Sequence, residues 1–196
     1  MNKIGNLIII VFVILIIGGC VSTPKAIEIN QQDTDLPVVL RLSIKHKKVR
    51  MINFPVKFKM INKSLQKRTY STVEYCYNSS FGGVGIPLYE ENGGKLIRIS
   101  KSKWKEISSY DSIIYTCYTR HRVDSSRAIQ SLLQPYIDKM LTSNQDSLLI
   151  GSLDEFKLTH PELLLSLLKN DSINVVFFNP SEDKPLNVDI KMPVKW

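Results

Sequence analysis

Residues 54–61, FPVKFKMI, alternate apolar and charged side chains with a period of two. This period predicts a half-buried β-strand that turns its apolar residues to a core and its two lysines to solvent. Residues 38–44 alternate in the same way. Residues 70–77 and 113–118 are rich in β-branched and aromatic residues and also predict strands. The first two thirds of the chain are therefore expected to be mainly β.

After about residue 124 the apolar period changes from two to between three and four, which predicts a helix. Asp124 or Ser125 is expected to cap this helix. Pro135 lies inside the pattern, so the helix should kink or break there. The apolar face consists of Ala128, Leu132, Leu133, Tyr136, Ile137 and Met140.

A second helix is predicted to begin at Thr159. Thr159 would be the N-cap residue, Pro161 suits the first turn, and Glu162 stands three residues after the cap. These spacings are those of a capping box, in which the side chains at both ends satisfy backbone N–H groups. Leucine-rich residues follow, and Asn170 is expected to end the helix.

Three more strands are predicted at residues 148–150, 173–178 and 186–192. Residues 92–94, Asn-Gly-Gly, predict a hairpin turn because Asn and Gly tolerate positive φ. The order of strands, helices and strands favours a mainly-β fold, an immunoglobulin-like β-sandwich with a helical insertion near residues 124–170. An α+β layered antiparallel sheet is the alternative.

The N-terminus carries a short apolar segment that stops at a cysteine. Residues 7–17 are eleven consecutive apolar residues, which is shorter than the ~20 of a membrane span and fits a signal peptide. Ile17, Gly18 and Gly19 precede Cys20, and this stretch resembles the lipobox of bacterial lipoproteins. The resemblance implies cleavage before Cys20, an acyl group such as palmitate on that cysteine, and membrane attachment through the lipid.

The same resemblance suggests the domain organisation and the location. We expect a lipoprotein signal peptide at residues 1–19, the acylated cysteine and a tether at residues 20–36, and a single globular domain at residues 37–196. The residue after the cysteine is Val21 rather than Asp, which favours the outer membrane. No acidic surface-display cluster follows, so we expect the periplasmic face.

Cys76 and Cys117 are the cysteines of the mature domain. Both lie in predicted strands, and in an oxidising periplasm they could form a disulfide. The alternative is that both remain reduced and buried as small apolar residues. Sequence spacing does not choose between these states, because a disulfide requires two Cα atoms within a few ångströms.

Two short patterns carry further resemblances. Residues 111–117 resemble the tyrosine corner of immunoglobulin-like domains, in which a Tyr lies two residues before the second Cys. This resemblance supports a sandwich. Asp-Ser-aliphatic triplets at residues 111–113, 146–148 and 171–173 resemble the O-glycosylation acceptor motif of Bacteroidota. Asp-Ser before a strand is also ordinary turn chemistry, which we favour.

The chain is basic, with 26 Lys and Arg against 18 Asp and Glu and a formal net charge of +8. Its basic residues are clustered at intervals along the sequence. If the fold brings two clusters together, they would form an anion-binding face, whereas clusters spread around the domain would only aid solubility. The candidate anion-binding residues are Lys45, Lys47, Lys48, Arg50, Lys101, Lys103, Lys105, Arg120 and Arg122.

The sequence contains no motif that names a reaction. His46, His121 and His160 lie outside nucleophile and metal-binding patterns. We therefore expect no enzyme, no cofactor and no metal, and export argues against a nucleic-acid partner. The expected function is a non-catalytic binding module for an envelope protein or an anionic envelope polymer. One version is an immunity lipoprotein that neutralises a toxin, and the alternative is a scaffold for an envelope complex.

Overall fold

The computed structural model describes residues 26–78, 82–100, 104–179 and 186–196. Its strands are β1 (Ile27–Gln32), β2 (Val38–Ser43), β3 (Lys48–Asn53), β4 (Pro55–Asn62), β5 (Arg68–Cys76), β6 (Val84–Gly85), β7 (Leu88–Asn92), β8 (Lys95–Arg98), β9 (Lys105–Ile107), β10 (Ser112–Tyr118), β11 (His121–Arg122), β12 (Ser147–Ile150), β13 (Ser172–Asn179) and β14 (Leu186–Pro193). Its helices are α1 (Arg127–Leu132), α2 (Gln134–Thr142), α3 (Leu153–Thr159) and α4 (Pro161–Leu167).

Two antiparallel sheets share one core. The first sheet has the strand order β1-β4-β10-β7-β8, and the second has the order β14-β13-β5-β6, with β9 also paired to β5. Phe58 and Met60 of β4 share this core with Tyr70 and Tyr75 of β5 and with Val175 of β13. The apolar residues of β4 therefore face a core, as the period of two in residues 54–61 predicted. The fold is mainly β and sandwich-like.

A third sheet builds a second core together with the helices. Its strands lie in the order β11-β3-β2-β12. Leu40 and Ile52 from this sheet share the core with Ile137 of α2, Phe156 of α3 and Leu163 of α4. The predicted helical insertion is thus present, and it packs on a sheet of its own.

Aromatic residues join the two cores. Phe54 lies between β3 and β4 and is fully buried. Its ring makes edge contacts with Phe156, at a centroid distance of 5.5 Å, and with Trp196, at 5.6 Å. The Trp196 side chain packs against both cores. The last residue of the chain therefore connects the sandwich to the helical layer.

Two strands lie where the sequence suggested other structure. Residues 27–32, expected within the tether, form β1 on the edge of the first sheet, and Ile27 is buried. Polar residues alternate with Ile27 and Ile29 there, so an edge strand looks like a polar tether. Residues 48–53, for which we predicted no strand, form β3. A register shift between β2 and β3 interrupts the alternation that would have revealed this strand.

The helices begin and end partly as predicted. Pro135 does break the first helix, because α1 ends at Leu132 and Pro135 lies in the first turn of α2. The N-cap of α1 is Ser126 rather than Asp124 or Ser125.

The predicted capping box at Thr159 is wrong. Thr159 is the last residue of α3, and its hydroxyl donates to the carbonyl of Glu155. The capping box belongs to the preceding turn, where Ser152 and Glu155 satisfy each other's backbone N–H groups at the start of α3.

Residues 111–117 do not form a tyrosine corner. The Tyr115 hydroxyl hydrogen-bonds to the Tyr70 hydroxyl at 2.7 Å inside the sandwich, rather than to an upstream backbone group. The three Asp-Ser-aliphatic triplets each place their serine at the first residue of a strand, β10, β12 or β13. That position fits the turn chemistry we favoured for them.

Candidate functional site

A groove with basic and apolar lining connects residues that are far apart in the sequence. Arg98 ends β8, Lys105 begins β9 and Arg120 follows β10. The volume of the groove is about 600 Å³, which is within the ~300–1,000 Å³ of typical ligand sites. We call it the Trp104 groove. Its lining residues are Ser71, Thr72, Val73, Gly85, Ile86, Pro87, Leu88, Arg98, Ile99, Ser100, Trp104, Lys105 and Arg120.

Strand pairing holds the three basic residues in place. Arg98 pairs with Tyr89 in the β7–β8 hairpin, and Lys105 pairs with Tyr70 between β9 and β5. The backbone N–H of Arg120 donates to the Tyr77 hydroxyl at 2.8 Å, which fixes the segment after β10. Because the backbone at these three positions is already ordered, binding of an anion there costs little further backbone entropy.

Two of these cations are available to a ligand. The cations that pair with carboxylates in the described part of the chain are Lys57, Lys63, Lys67, Lys157 and, when protonated, His121. Arg98 and Arg120 are both exposed and take part in none of these pairs. A guanidinium binds carboxylate, sulfate or phosphate groups through two parallel hydrogen bonds. The groove is therefore suited to an anion.

Trp104 adds an aromatic surface to the groove. Its side chain is 55% exposed, and its ring contacts Phe178 at a centroid distance of 4.2 Å. A ring supported on one side can offer another side to a sugar or an aromatic group. The described lining contains no histidine, cysteine or carboxylate. The lining thus combines cations, hydroxyl groups and an aromatic ring.

A second basic opening lies beside the β2–β3 hairpin. We call it the Lys48 groove. Its volume is about 530 Å³, and its lining residues are Ser43, His46, Lys48, Val49, Arg50, Arg122, Val123 and Ser125. Lys48 Nζ donates to the carbonyl of Ser125 at 2.9 Å, so part of its charge is already engaged. This groove carries no tryptophan among its lining residues.

The structure thus brings together some of the predicted basic residues but divides one cluster. Arg120 lines the Trp104 groove and Arg122 the Lys48 groove. Lys45 and Lys47 are exposed in the turn after β2 and line neither groove. Lys101, Lys103, Ile17, Gly18, Gly19 and Cys20 lie outside the described residues.

Arg98 was not among the predicted residues. It has no Lys or Arg directly beside it, since its nearest basic neighbours, Lys95 and Lys101, are three residues away, and the pairing of β8 with β7 brings it to the groove. A rule that looks for runs of Lys and Arg cannot find such a residue.

The disulfide between Cys76 and Cys117 is not formed, and both thiols are free. Cys117 is fully buried in the sandwich core, and burial raises the pKa of its thiol. Tyr75 points into that core, so its neighbour Cys76 lies on the opposite face of β5. The two side chains therefore point in directions that prevent a bond.

A buried polar cluster lies where the two cores meet, and no sequence pattern predicted it. The side chains of His121 and Asp171 are 4% and 1% exposed, and Nε2 of the histidine lies 3.5 Å from Oδ2 of the aspartate. Asp171 accepts hydrogen bonds from the Tyr75 hydroxyl at 2.9 Å and from the backbone N–H of Asn78 at 3.0 Å. The rings of Tyr77 and Trp196 contact the imidazole at centroid distances of 5.1 and 5.9 Å.

Burial dominates the electrostatics of this cluster. Desolvation lowers the pKa of His121 to about 4, partly offset by a hydrogen bond to the backbone of Leu167. Desolvation raises the pKa of Asp171, while its bonds from Asn78 and Tyr75 act in the opposite direction. The indole of Trp196 also lowers the pKa of Asp171, although its Nε1 does not reach full hydrogen-bond geometry. Because neither side chain is open to solvent, this pair is a structural junction.

The remaining histidines also have structural positions. His46 is exposed in the turn after β2. His160 is buried between α3 and α4, and its Nε2 lies 3.0 Å from the Tyr136 hydroxyl. Across the described ranges, no three His, Cys, Asp or Glu side chains are grouped so that they could hold a metal ion.

In the part of the chain that the structure describes, no helix combines the length and the apolar character needed to cross a membrane. No protein family matches the chain, and no curated protein matches it.

Proposed function

We propose that this chain is a lipid-anchored, non-catalytic binding module of the bacterial envelope, and that its Trp104 groove binds an anionic envelope polymer. The observation that carries this proposal is the convergence of Arg98, Lys105 and Arg120 beside the exposed Trp104. Arg98 and Arg120 would bind the polymer's acidic groups, and the indole would contact its sugar rings. The hydroxyls of Ser71 and Thr72 also line the groove, where they could bond sugar hydroxyls.

The location in this proposal comes from the lipobox-like sequence. An acyl anchor on Cys20 would hold the domain at the outer membrane, on its periplasmic face. Replacing Cys20 with Ala should abolish incorporation of labelled palmitate and release the domain or leave it as precursor. Unchanged labelling in the Cys20→Ala chain would contradict the anchor.

Polymer binding is tested with a matched pair of arginines. Arg120 and Arg122 are both exposed, lie two residues apart and line different grooves. We expect Arg120→Glu to raise the Kd for lipopolysaccharide or solubilised peptidoglycan about tenfold, because a charge-assisted contact becomes a repulsive one. Arg122→Glu should change the Kd by less than about twofold.

Binding is measured with the full-length protein in detergent at two ionic strengths, and it should weaken as salt rises. Equal effects of the two substitutions would show that overall charge, rather than the Trp104 groove, drives binding. If neither polymer binds the unaltered protein, the polymer proposal is rejected.

The second candidate function is binding of a protein partner, and exposed leucines in the helical layer favour it. Leu158 of α3 is 86% exposed and Leu165 of α4 is 74% exposed. Exposed leucines on neighbouring helices favour contact with another protein, as an immunity lipoprotein or an assembly scaffold would require. In-cell cross-linking that recovers one dominant protein through this layer would support it. Replacing both leucines with Gln should then abolish that cross-link.

A further inference from the structure

An apolar cleft opens between β1 and β14, at the edge of the sandwich. Gln31 near the end of β1 exchanges two hydrogen bonds with the backbone of Lys195, at 2.7 and 2.8 Å. This contact sets the offset between the two strands, so Ile27 at the start of β1 lies beside the middle of β14. The first residues of β14 extend beyond the start of β1.

The side chains on the inward face of β14 become more exposed towards the start of the strand. Met192 is 5% exposed, Ile190 is half-buried and Val188 is 48% exposed. These three residues alternate along one face of the strand. Phe177, the partner of Val188 in the β13–β14 pairing, remains buried behind it. The open end of the sandwich is therefore an apolar surface with a deep aromatic floor.

Most residues that line this β1–β14 cleft are apolar, but charged side chains lie at its rim. Arg68 and Lys191 line it together with Asp189, so its net charge is positive. Arg68 uses its Nε to donate to Ser64 Oγ at 3.2 Å, which leaves the outer guanidinium nitrogens for another acceptor. The volume of the cleft is about 490 Å³, in the range of sites for small ligands.

We propose that the β1–β14 cleft takes one acyl chain of a bilayer phospholipid, with Arg68 and Lys191 beside the lipid phosphate. This inference rests on the proposed anchor at Cys20. Ala26 lines the cleft and lies six residues after that cysteine, a span of at most ~20 Å for an extended chain. A short tether places the cleft next to the bilayer in which the anchor sits. The bound lipid then orients the domain on the membrane.

The test uses the full chain reconstituted into vesicles of phosphatidylethanolamine and phosphatidylglycerol. The vesicles contain a trace of phospholipid with a photoreactive diazirine in one acyl chain, and cross-linked peptides are mapped by mass spectrometry. We expect lipid on β13 and β14 around Phe177 and Val188. Val188→Asp should reduce this cross-linking about tenfold or more, because an ionised carboxylate repels the acyl chain from the cleft.

Val84→Asp is the matched control, since Val84 is also a strand residue, is 53% exposed and lies outside the cleft. It should leave cross-linking unchanged. Equal cross-linking in the two variants would overturn the proposal. Lipid found only on residues before Ala26 would also overturn it, and is the result expected if residues 21–25 fill the cleft instead.

A parallel arm separates this inference from the anchor. The Cys20→Ala chain is mixed with the same photoreactive lipid in detergent micelles. Cross-linking at Val188 there supports the cleft even if palmitate labelling contradicts the anchor. A cleft that is not labelled in either arm is not a lipid site, whatever holds the protein to the membrane.

Discussion

His121 and Asp171 face each other inside the buried junction between the two cores. Nε2 of His121 has no hydrogen-bond partner, so the backbone of Leu167 is bonded by the other ring nitrogen, Nδ1. A neutral ring that donates from Nδ1 presents the lone pair of Nε2 to Oδ2 of Asp171, 3.5 Å away. Two acceptors facing each other in a buried site repel, and a proton on either group removes the repulsion. At neutral pH desolvation keeps His121 uncharged, so the ring faces the Asp171 side chain without a hydrogen bond.

Two substitutions of Asp171 distinguish the effect of its negative charge on stability from the effect of its hydrogen bonds. Asp171→Ala leaves the Tyr75 hydroxyl and the Asn78 N–H without their acceptor, so we expect a loss of about 3 kcal/mol in the free energy of unfolding. Asp171→Asn keeps an acceptor oxygen and can donate to Nε2 of His121, so it should lose about 1 kcal/mol. Urea denaturation measures both losses. Equal losses would show that the charge itself holds the junction.

The same pair makes stability depend on pH. The pKa of His121 is lowered in the folded protein, so the unfolded chain binds its proton more tightly, and stability falls as the pH drops from about 6.5 towards 4. The raised pKa of Asp171 acts in the opposite sense, because the folded protein takes up that proton first. Tyr75 and Tyr77, which contact the imidazole, have raised pKa values and do not titrate here.

Asp171→Asn removes the opposing carboxylate and should steepen this dependence. For His121 alone, with a pKa of about 4 in the folded state, the loss between pH 7 and pH 5 is about 2 kcal/mol. The wild-type protein should lose less over the same interval. Urea midpoints at the two pH values, compared between wild type and variant, measure the difference. A flatter profile in the variant would contradict the opposing contributions of His121 and Asp171.

The capping box at Ser152 and the one predicted at Thr159 lead to opposite expectations for the stability of substituted proteins. Ser152 caps α3 with its hydroxyl, whereas Thr159 ends that helix. Ser152→Ala should lower the free energy of unfolding by about 1 kcal/mol, because it leaves the N–H of Glu155 without its acceptor. Thr159→Ala should lower it by less than about 0.5 kcal/mol. Thermal unfolding of both variants decides, and a larger effect at Thr159 would favour the pattern read from sequence.

The elements that could be predicted from sequence are those whose period was not interrupted. Residues 56–60 keep a strict alternation because both faces of β4 have a fixed environment there. In β3 the register shift against β2 breaks the pattern, and in β1 the edge position leaves only Ile27 buried. The helix break at Pro135 could be predicted because a proline ring kinks or breaks a helix when it lies in the interior. Local chemistry was thus predictable, whereas strand pairing over long separations was not.

The Trp104 groove arises from the topology of the chain. Clusters in the sequence contained Lys105, Arg120 and Arg122, but no local pattern shows that the two arginines serve different grooves. Arg98 reaches the Trp104 groove only through the β7–β8 hairpin. The formal net charge of +8 therefore describes the chain but does not show which basic residues lie together. Strand order determines which charges lie together.

Topology also makes the C-terminal residue a link between the two cores. Trp196 packs against both cores and contacts Phe54 and His121. We expect Trp196→Ala to lower the free energy of unfolding by about 3 kcal/mol, because it leaves a cavity between the sandwich and the helical layer. The chain has one other tryptophan, Trp104, which is 55% exposed, and Trp104→Ala should lose about 1 kcal/mol or less.

Far-UV circular dichroism during urea unfolding follows both variants without relying on either indole. A single transition that shifts to lower urea in Trp196→Ala would show that the two cores unfold together through this contact. Two separate transitions in the variant, with one in the wild type, would show that Trp196 couples units that are otherwise independent. Equal shifts in the two variants would mean that Phe54 and His121 hold the junction without the indole.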